Sequence, residues 1–163
     1  MTNSNTRAIA LAERLTLGAN ALANFAENLS NSEWNKPVLG DGRTIGVVVH
    51  HVASVYPLEI ELAQVIASGN PITDATMDVV NQMNADHAKE FANVGKTETI
   101  ELLRKNSKIA ADAVRSFTDK ELDNASTVSL NANAPLTVQF FVEDHALRHS
   151  YHHFSKIKET LKK

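Results

Sequence analysis

Apolar residues return at helical spacing along most of the chain. From about residue 6 to 29, Ile9, Leu11, Leu15, Leu22, Phe25 and Leu29 follow that spacing and predict a first helix. Ser30-Asn31-Ser32 breaks the pattern, and Asn35 to Arg43, with Pro37, Gly40 and Gly42, reads as a loop. Thr44 is placed as the N-cap of a second helix, which runs to about Ser68 and is stopped by Gly69-Asn70-Pro71. Pro57 lies inside it, removes one backbone hydrogen bond and predicts a bend one turn after His51. Asp74 is expected to cap a third helix with a stripe of Met77, Val80, Met83, Ala88 and Phe91. Gly95 interrupts it. Thr97 is expected to cap a continuation through Ile100, Leu103, Ile109, Ala110, Val114 and Phe117, giving one broken helix or two. Residues 118 to 134 are rich in Asn, Ser and Thr and read as irregular, with a short extended piece around Val128 and Leu130. An irregular stretch of this length is often a lid or a binding loop. Pro135 suits the start of a last helix carrying Val138, Val142, Ala146, Phe154, Ile157 and Leu161. Four helical blocks and no credible sheet predict an all-α helical bundle.

Composition narrows the picture. The 163 residues are 43% hydrophobic, which fits a single domain over residues 1–163. A net charge of −3 implies no basic face, so nucleic acid is not an expected partner. The polar start, Met1 to Arg7, is unlike a signal peptide, and no run of about 18 apolar residues appears. A cytoplasmic protein with no membrane partner is the expectation. The absence of cysteine excludes disulfides, thiolate nucleophiles and thiolate metal ligands.

Histidine is where the chemistry concentrates. Of the seven, His145, His149, His152 and His153 fall in one short stretch, while His50 and His51 stand side by side far upstream. At about 100° per residue, His51 sits near the middle of the second helix's apolar face, between Val48, Val55, Leu62 and Ile66 on one side and Val47, Leu58 and Val65 on the other. His50 falls beside Glu61 and Gln64, on the wet side. On the last helix His149 and His153 lie inside the apolar arc, His145 at its edge and His152 further out. His149 and His153 are four residues apart, so their rings stack along one helix face, the geometry for chelating one cation. The arrangement shares its logic with the helical His-x-x-x-His of zinc proteases but lacks the Glu after the first His. His51 is the obvious third donor. Three protein ligands with open positions form the catalytic pattern, whereas structural sites are usually closed by four. Nitrogen ligands alone favour Zn²⁺ or Ni²⁺. A lone buried histidine more often packs in a core, and the paired spacing is what argues for a site. His145 and His152 are read as surface or supporting residues, His87 as exposed or at a cavity mouth. Glu59 and Asp144 are read as solvated carboxylates before they are read as bases, and Trp34, Tyr56 and Tyr151 as packing residues.

The sequence resembles the DinB-like (DinB/YfiT) superfamily of metalloenzymes. Leu29 to Trp34 looks like that family's turn after helix one, and Thr44 to Ala53 like its helix-two segment with the first ligand, where an apolar and a small residue after the histidine again select His51. Asn81 to Ala85 and Lys96 to Leu103 resemble its third helix and restart, and His149 to Ile157 its paired-ligand motif. Ser155 and Lys156 stand where the family often has Gly-Gln. The resemblance implies an up-down-down-up four-helix bundle with a divalent metal near one end of the core, held by His51, His149 and His153, and frequent homodimers. It implies a metal-dependent enzyme acting on a small-molecule substrate, as a hydrolase or as an S-transferase using a low-molecular-weight thiol. The alternatives are a non-catalytic, stress-related module that binds metal or a small ligand, and a helical interaction protein whose histidines only pack.

Overall fold

The computed structural model describes residues 5–163; the first four residues, part of the polar start read as unlike a signal peptide, lie outside the described residues. The first helix, α1 (Thr6–Glu27), buries Ala8, Leu11, Leu15, Ala19, Leu22 and Ala26, one apolar stripe at the expected spacing. The break at Ser30 is itself a helix start. Ser30 Oγ accepts from the Glu33 backbone N–H at 3.2 Å and Glu33 returns a carboxylate to the Ser30 N–H at 2.9 Å, capping the short α2 (Asn31–Trp34). Trp34 is buried and donates its indole N–H to the Val94 carbonyl at 3.2 Å. Its ring lies over Gly46, where a Cβ would stand 2.5 Å from the indole, so no larger residue fits there unless the ring moves.

The core helix α3 (Ile45–Ala67) begins as expected, with Thr44 Oγ1 accepting from the Val47 N–H at 3.3 Å. It runs through Pro57 without ending. Proline leaves the carbonyl four residues earlier, that of Ala53, without its helical donor. The Asn106 side-chain amide supplies one at 2.9 Å. By length and composition α3 is also apolar enough to cross a membrane, but 67% of its apolar window is buried inside the protein.

The middle of the chain departs from expectation. The helix α4 (Met77–Glu90) is capped by Thr76, whose hydroxyl accepts from the Val79 N–H, and not by Asp74. It buries none of its residues; of the predicted stripe, Met77 and Met83 are 57% and 49% exposed, while Val80, Ala88 and Phe91 are half-buried. Gly95, not Thr97, is the N-cap of α5 (Lys96–Arg115), and the segment is two helices. Residues 118–137 are also more ordered than their composition suggested. A capping box between Thr118 and Glu121 starts α6 (Asp119–Asp123). Then β1 (Ala125–Val128) pairs antiparallel with β2 (Ala134–Thr137), Ser126 opposite Leu136. Ile72 bonds to both sides of Val128, through the Thr127 carbonyl and the Ser129 N–H at 2.9 Å each, and so ties the α3–α4 connection to the ribbon. Pro135 therefore sits in a strand of a two-stranded ribbon, where a missing donor is tolerated. Thr137 caps the last helix in its place.

That last helix comprises α7 (Val138–Phe141), a π-helical segment (Val142–Leu147) and α8 (Arg148–Leu161), with no break between them. Val138, Val142, Ala146 and Ser150 are all buried at intervals of four. In an unbroken α-helix such a run drifts off one face by about 40° per step. The wider turn, with its i→i+5 bonding, absorbs the drift.

Cross-helix contacts fix the directions. Asn5 meets the Arg115 carbonyl while Asn24 meets Arg104, so α1 and α5 are antiparallel. Trp34, over Gly46, reaches Val94, and Ala53 meets Asn106, so α3 and α5 run together. Arg14 meets Glu143 and Phe25 meets Phe154, so α1 is parallel to α8. Glu59 meets His149 and His51 meets His153, so α3 and α8 are antiparallel. The result is the expected up-down-down-up four-helix bundle.

Candidate metal centre

The antiparallel crossing of α3 and α8 brings the three predicted histidines together. His51, His149 and His153 each offer a ring nitrogen, and these nitrogens all lie within 4.8 Å of one another. The Nε2 atoms of His51 and His149 are 3.0 Å apart. Two nitrogens bound to one tetrahedral cation at 2.0–2.1 Å stand about 3.3 Å apart, so this spacing suits a shared ion after small ring movements. His51 and His153 are buried and His149 half-buried.

Glu59, expected to be a solvated carboxylate, is buried opposite His149 and accepts from its Nδ1 at 2.7 Å. That bond holds the proton on Nδ1 and leaves the Nε2 lone pair facing His51, the arrangement by which carboxylates orient metal-ligating imidazoles. The second oxygen, Glu59 Oε2, is buried with no partner. Burial pushes the Glu59 carboxyl up, against the opposing pull of its bond to His149. A buried carboxylate with an unsatisfied oxygen beside three imidazoles is a donor set that a divalent cation would complete. Burial holds His51 down to about 2 and His153 to about 3, helped by the charges of His149 and Arg43. Both rings are therefore neutral at ordinary pH, the form in which an imidazole can bind a cation.

The remaining histidines fall differently. His50 is not on the wet side. It is buried under the α4–α5 corner, stacked on Phe91 with ring centroids 4.1 Å apart, and its Nδ1 lies 2.9 Å from His87 Nε2 and 3.1 Å from Ser54 Oγ. His87 is half-buried rather than exposed, with its ring 5.6 Å from that of His51, centroid to centroid. A helical wheel knows only its own axis and could not report that α4 lies over this side of α3. His145 stacks on Phe141 at 4.3 Å, and His152 is exposed.

Two hollows flank the cluster. One of about 310 Å³ is lined by Glu59, Asp144, His145, Arg148, His149, His152 and His153. A second of about 210 Å³ lies between the 38–41 loop and His152, His153 and Lys156. Asp144 is paired with Arg148 at 3.0 Å. The π-helical segment ends one residue before Arg148 and so sets the phase at which His149 and His153 enter the site. It has no sequence signal beyond the run of four-residue intervals, and Glu59 none beyond being a carboxylate two turns after His51 on a largely apolar helix.

Comparison with known proteins agrees with this architecture. YfiT from Bacillus subtilis, described as a probable metal-dependent hydrolase with an unusual four-helix bundle topology, superposes with a TM-score of 0.69 over 99% of this chain and 88% of its own, at 15% identity. A mycothiol-dependent maleylpyruvate isomerase superposes with the same TM-score over 96% of this chain at 15% identity; the chain spans 63% of that protein's length. No curated protein matches the sequence. The DinB superfamily model matches residues 14–157, which span α1 to α8 and include every histidine of the cluster, and the chain belongs to the DinB superfamily.

Proposed function

We propose that this protein is a metal-dependent enzyme whose cation is held by His51, His149 and His153 and whose substrate is a small molecule. The observation that carries the proposal is the convergence of three imidazole nitrogens within 4.8 Å beside a buried, half-satisfied carboxylate. Zn²⁺ and Ni²⁺ fit an all-nitrogen donor set best. A divalent cation there supplies Lewis acidity, which lowers the pKa of a water or a thiol to near neutrality. The chain's own residues do the rest. Glu59 fixes the tautomer and plane of His149. His145 stands on the wall of the larger hollow, its ring stacked on Phe141 and its Nε2 3.8 Å from Asp144 Oδ2. Asp144 and Arg148 set the polarity of that wall.

The activities named for the two structural neighbours, metal-dependent hydrolysis and a thiol-dependent isomerisation, support hydrolysis and thiol transfer as the classes to try. The test is turnover by protein loaded with one equivalent of Zn²⁺ or Ni²⁺, assayed on activated esters and on thiol conjugation to electrophiles. Turnover in one class, abolished in His51→Ala, is the expected result. Stoichiometric metal without turnover in either class would make the protein a metal-binding module and not an enzyme.

A further inference from the structure

The larger hollow beside the histidine cluster has walls of one kind. Two carboxylates (Glu59 and Asp144), the Arg148 guanidinium and four imidazoles line it, and among the described residues no hydrocarbon side chain does. A hollow of about 310 Å³ without an apolar wall offers a hydrocarbon-rich molecule little to bury against, and favours a small polar one. Most of the polar groups are already engaged. Glu59 accepts from His149 Nδ1 at 2.7 Å, Asp144 accepts from Arg148 Nε at 3.0 Å, and His149 and His153 are proposed ligands of the cation.

Arg148 differs, because its bonds use only one end of the side chain. Nε donates to the Asp144 carboxylate and, at 3.2 Å, to the Asp144 carbonyl, both one turn back on the same helix. Nη1 and Nη2 make no hydrogen bond among the described residues, and the side chain is 59% exposed. A guanidinium carries five N–H donors in a planar fork, and its Nη1–Nη2 end presents two that match the two oxygens of a carboxylate. Position on α8 puts that end beside the cluster. Arg148 and His152 form one row of the helix, four residues apart, and His149 and His153 form the row about 100° round it. Arg148 and His152 are exposed and His153 is buried, so the arginine stands on the rim of the hollow whose wall holds two of the three ligands. With a divalent cation on those ligands, two carboxylates and one guanidinium leave the hollow net positive.

We infer that Arg148 is a specificity-determining residue of this site, and that the substrate is a small polar acid whose carboxylate pairs with the free end of Arg148 on the rim of the larger hollow while its reacting group meets the cation. Asp144 anchors the guanidinium through Nε and leaves the paired donors to the ligand. A lysine at this position keeps the charge and loses the paired geometry.

This inference rests on the metal reading, and the test separates the two. Wild-type protein and the variants Arg148→Gln, Arg148→Lys and Lys156→Gln are loaded with Ni²⁺, and metal content is measured by mass spectrometry. Lys156 lines the smaller hollow and pairs with Glu159, so its variant removes a nearby charge from outside the larger one. Each protein is titrated with mercaptoacetate, 3-mercaptopropionate and 4-mercaptobutyrate, and with the uncharged amide of each, followed by the thiolate-to-nickel absorption band. The series of lengths covers the reach from cation to rim. For at least one length the wild type should prefer the acid by a margin that Arg148→Gln reduces about 10-fold, the low end for a charge-assisted hydrogen bond because the guanidinium is partly wet. Arg148→Lys should recover only part of that margin, and Lys156→Gln should leave it unchanged. Equal nickel content across the four proteins shows that the variants keep the metal site. With nickel bound, an acid preference that is absent at every length, that survives Arg148→Gln, or that Lys156→Gln reduces as much overturns this inference alone. Full recovery in Arg148→Lys overturns the paired bond. A wild type that takes up no nickel overturns the metal reading and this inference with it.

Discussion

At the scale of the residue, Glu59 has the role that depends most on its surroundings. A carboxylate placed by sequence among solvated groups instead orients His149 from a buried position, with one oxygen unsatisfied. Replacing it with glutamine keeps the volume and removes the charge. Glu59→Gln is expected to weaken Zn²⁺ or Ni²⁺ binding about 10- to 100-fold, the usual effect of losing such a partner, as measured by calorimetric titration. Unchanged affinity would mean that Glu59 is only a core residue. The histidines also make a pH prediction for the metal-free protein. Burial first, then neighbouring charges, hold His51 to about 2 and His153 to about 3, against about 6.5 in an unfolded chain. Between these values the unfolded chain binds more protons. Stability therefore falls as pH falls below about 6.5, by up to about 1.4 kcal/mol per pH unit for each histidine, and is flat with respect to them above pH 7. Urea midpoints between pH 7.5 and 5.5 should drop more steeply in the wild type than in a variant lacking both rings; parallel slopes would contradict the burial argument. His51, His149 and His153 were legible in the sequence because each lies on the apolar face of its own helix. His50, His87 and Glu59 were not, because their surroundings are set by other segments.

Elements repeat that division. Where a helix buries its own stripe, as in α1, α3 and α5, spacing placed it well, and Thr44 caps α3 as expected, although α5 starts at Gly95 and not at Thr97. The errors lie where stripe and burial part company. The outward-facing Met77 and Met83 of α4 mimic a core stripe, and Pro135, which resembles a helix start, is held in a strand pair opposite Thr127. The Asn- and Ser-rich composition of residues 118–134 concealed a ribbon in which β1 pairs with β2 and Ile72, far away in sequence, bonds to its edge. Because α4 buries no residue, it is expected to exchange its amide hydrogens fastest among α1, α3, α4, α5 and α8, toward the rate of local opening rather than global unfolding. Peptide-resolved hydrogen exchange checks this. Protection of α4 equal to that of α3 would show that the helix is held by contacts beyond those described.

At the scale of the molecule, the up-down-down-up order is what assembles the site. The α3–α5 pair runs in parallel, which requires the long crossover that contains α4, and that crossover lays His87 and Phe91 over His50. Closing the bundle with α8 antiparallel to α3 puts a histidine pair from one end of the chain against His51 from its first third. Sequence spacing picked out the three histidines that cluster and family resemblance the topology; the carboxylate brace became visible only in three dimensions. The central claim, that this crossing is a metal site, is tested most directly by metal content. Untagged wild-type protein purified without chelator, and a His51→Ala, His149→Ala, His153→Ala triple variant, are analysed by mass spectrometry before and after incubation with Zn²⁺ or Ni²⁺. About one equivalent in the wild type and none in the folded variant is the predicted result. A wild type that holds no metal even after incubation, or a variant that holds as much, would contradict the account and return the histidines to the core.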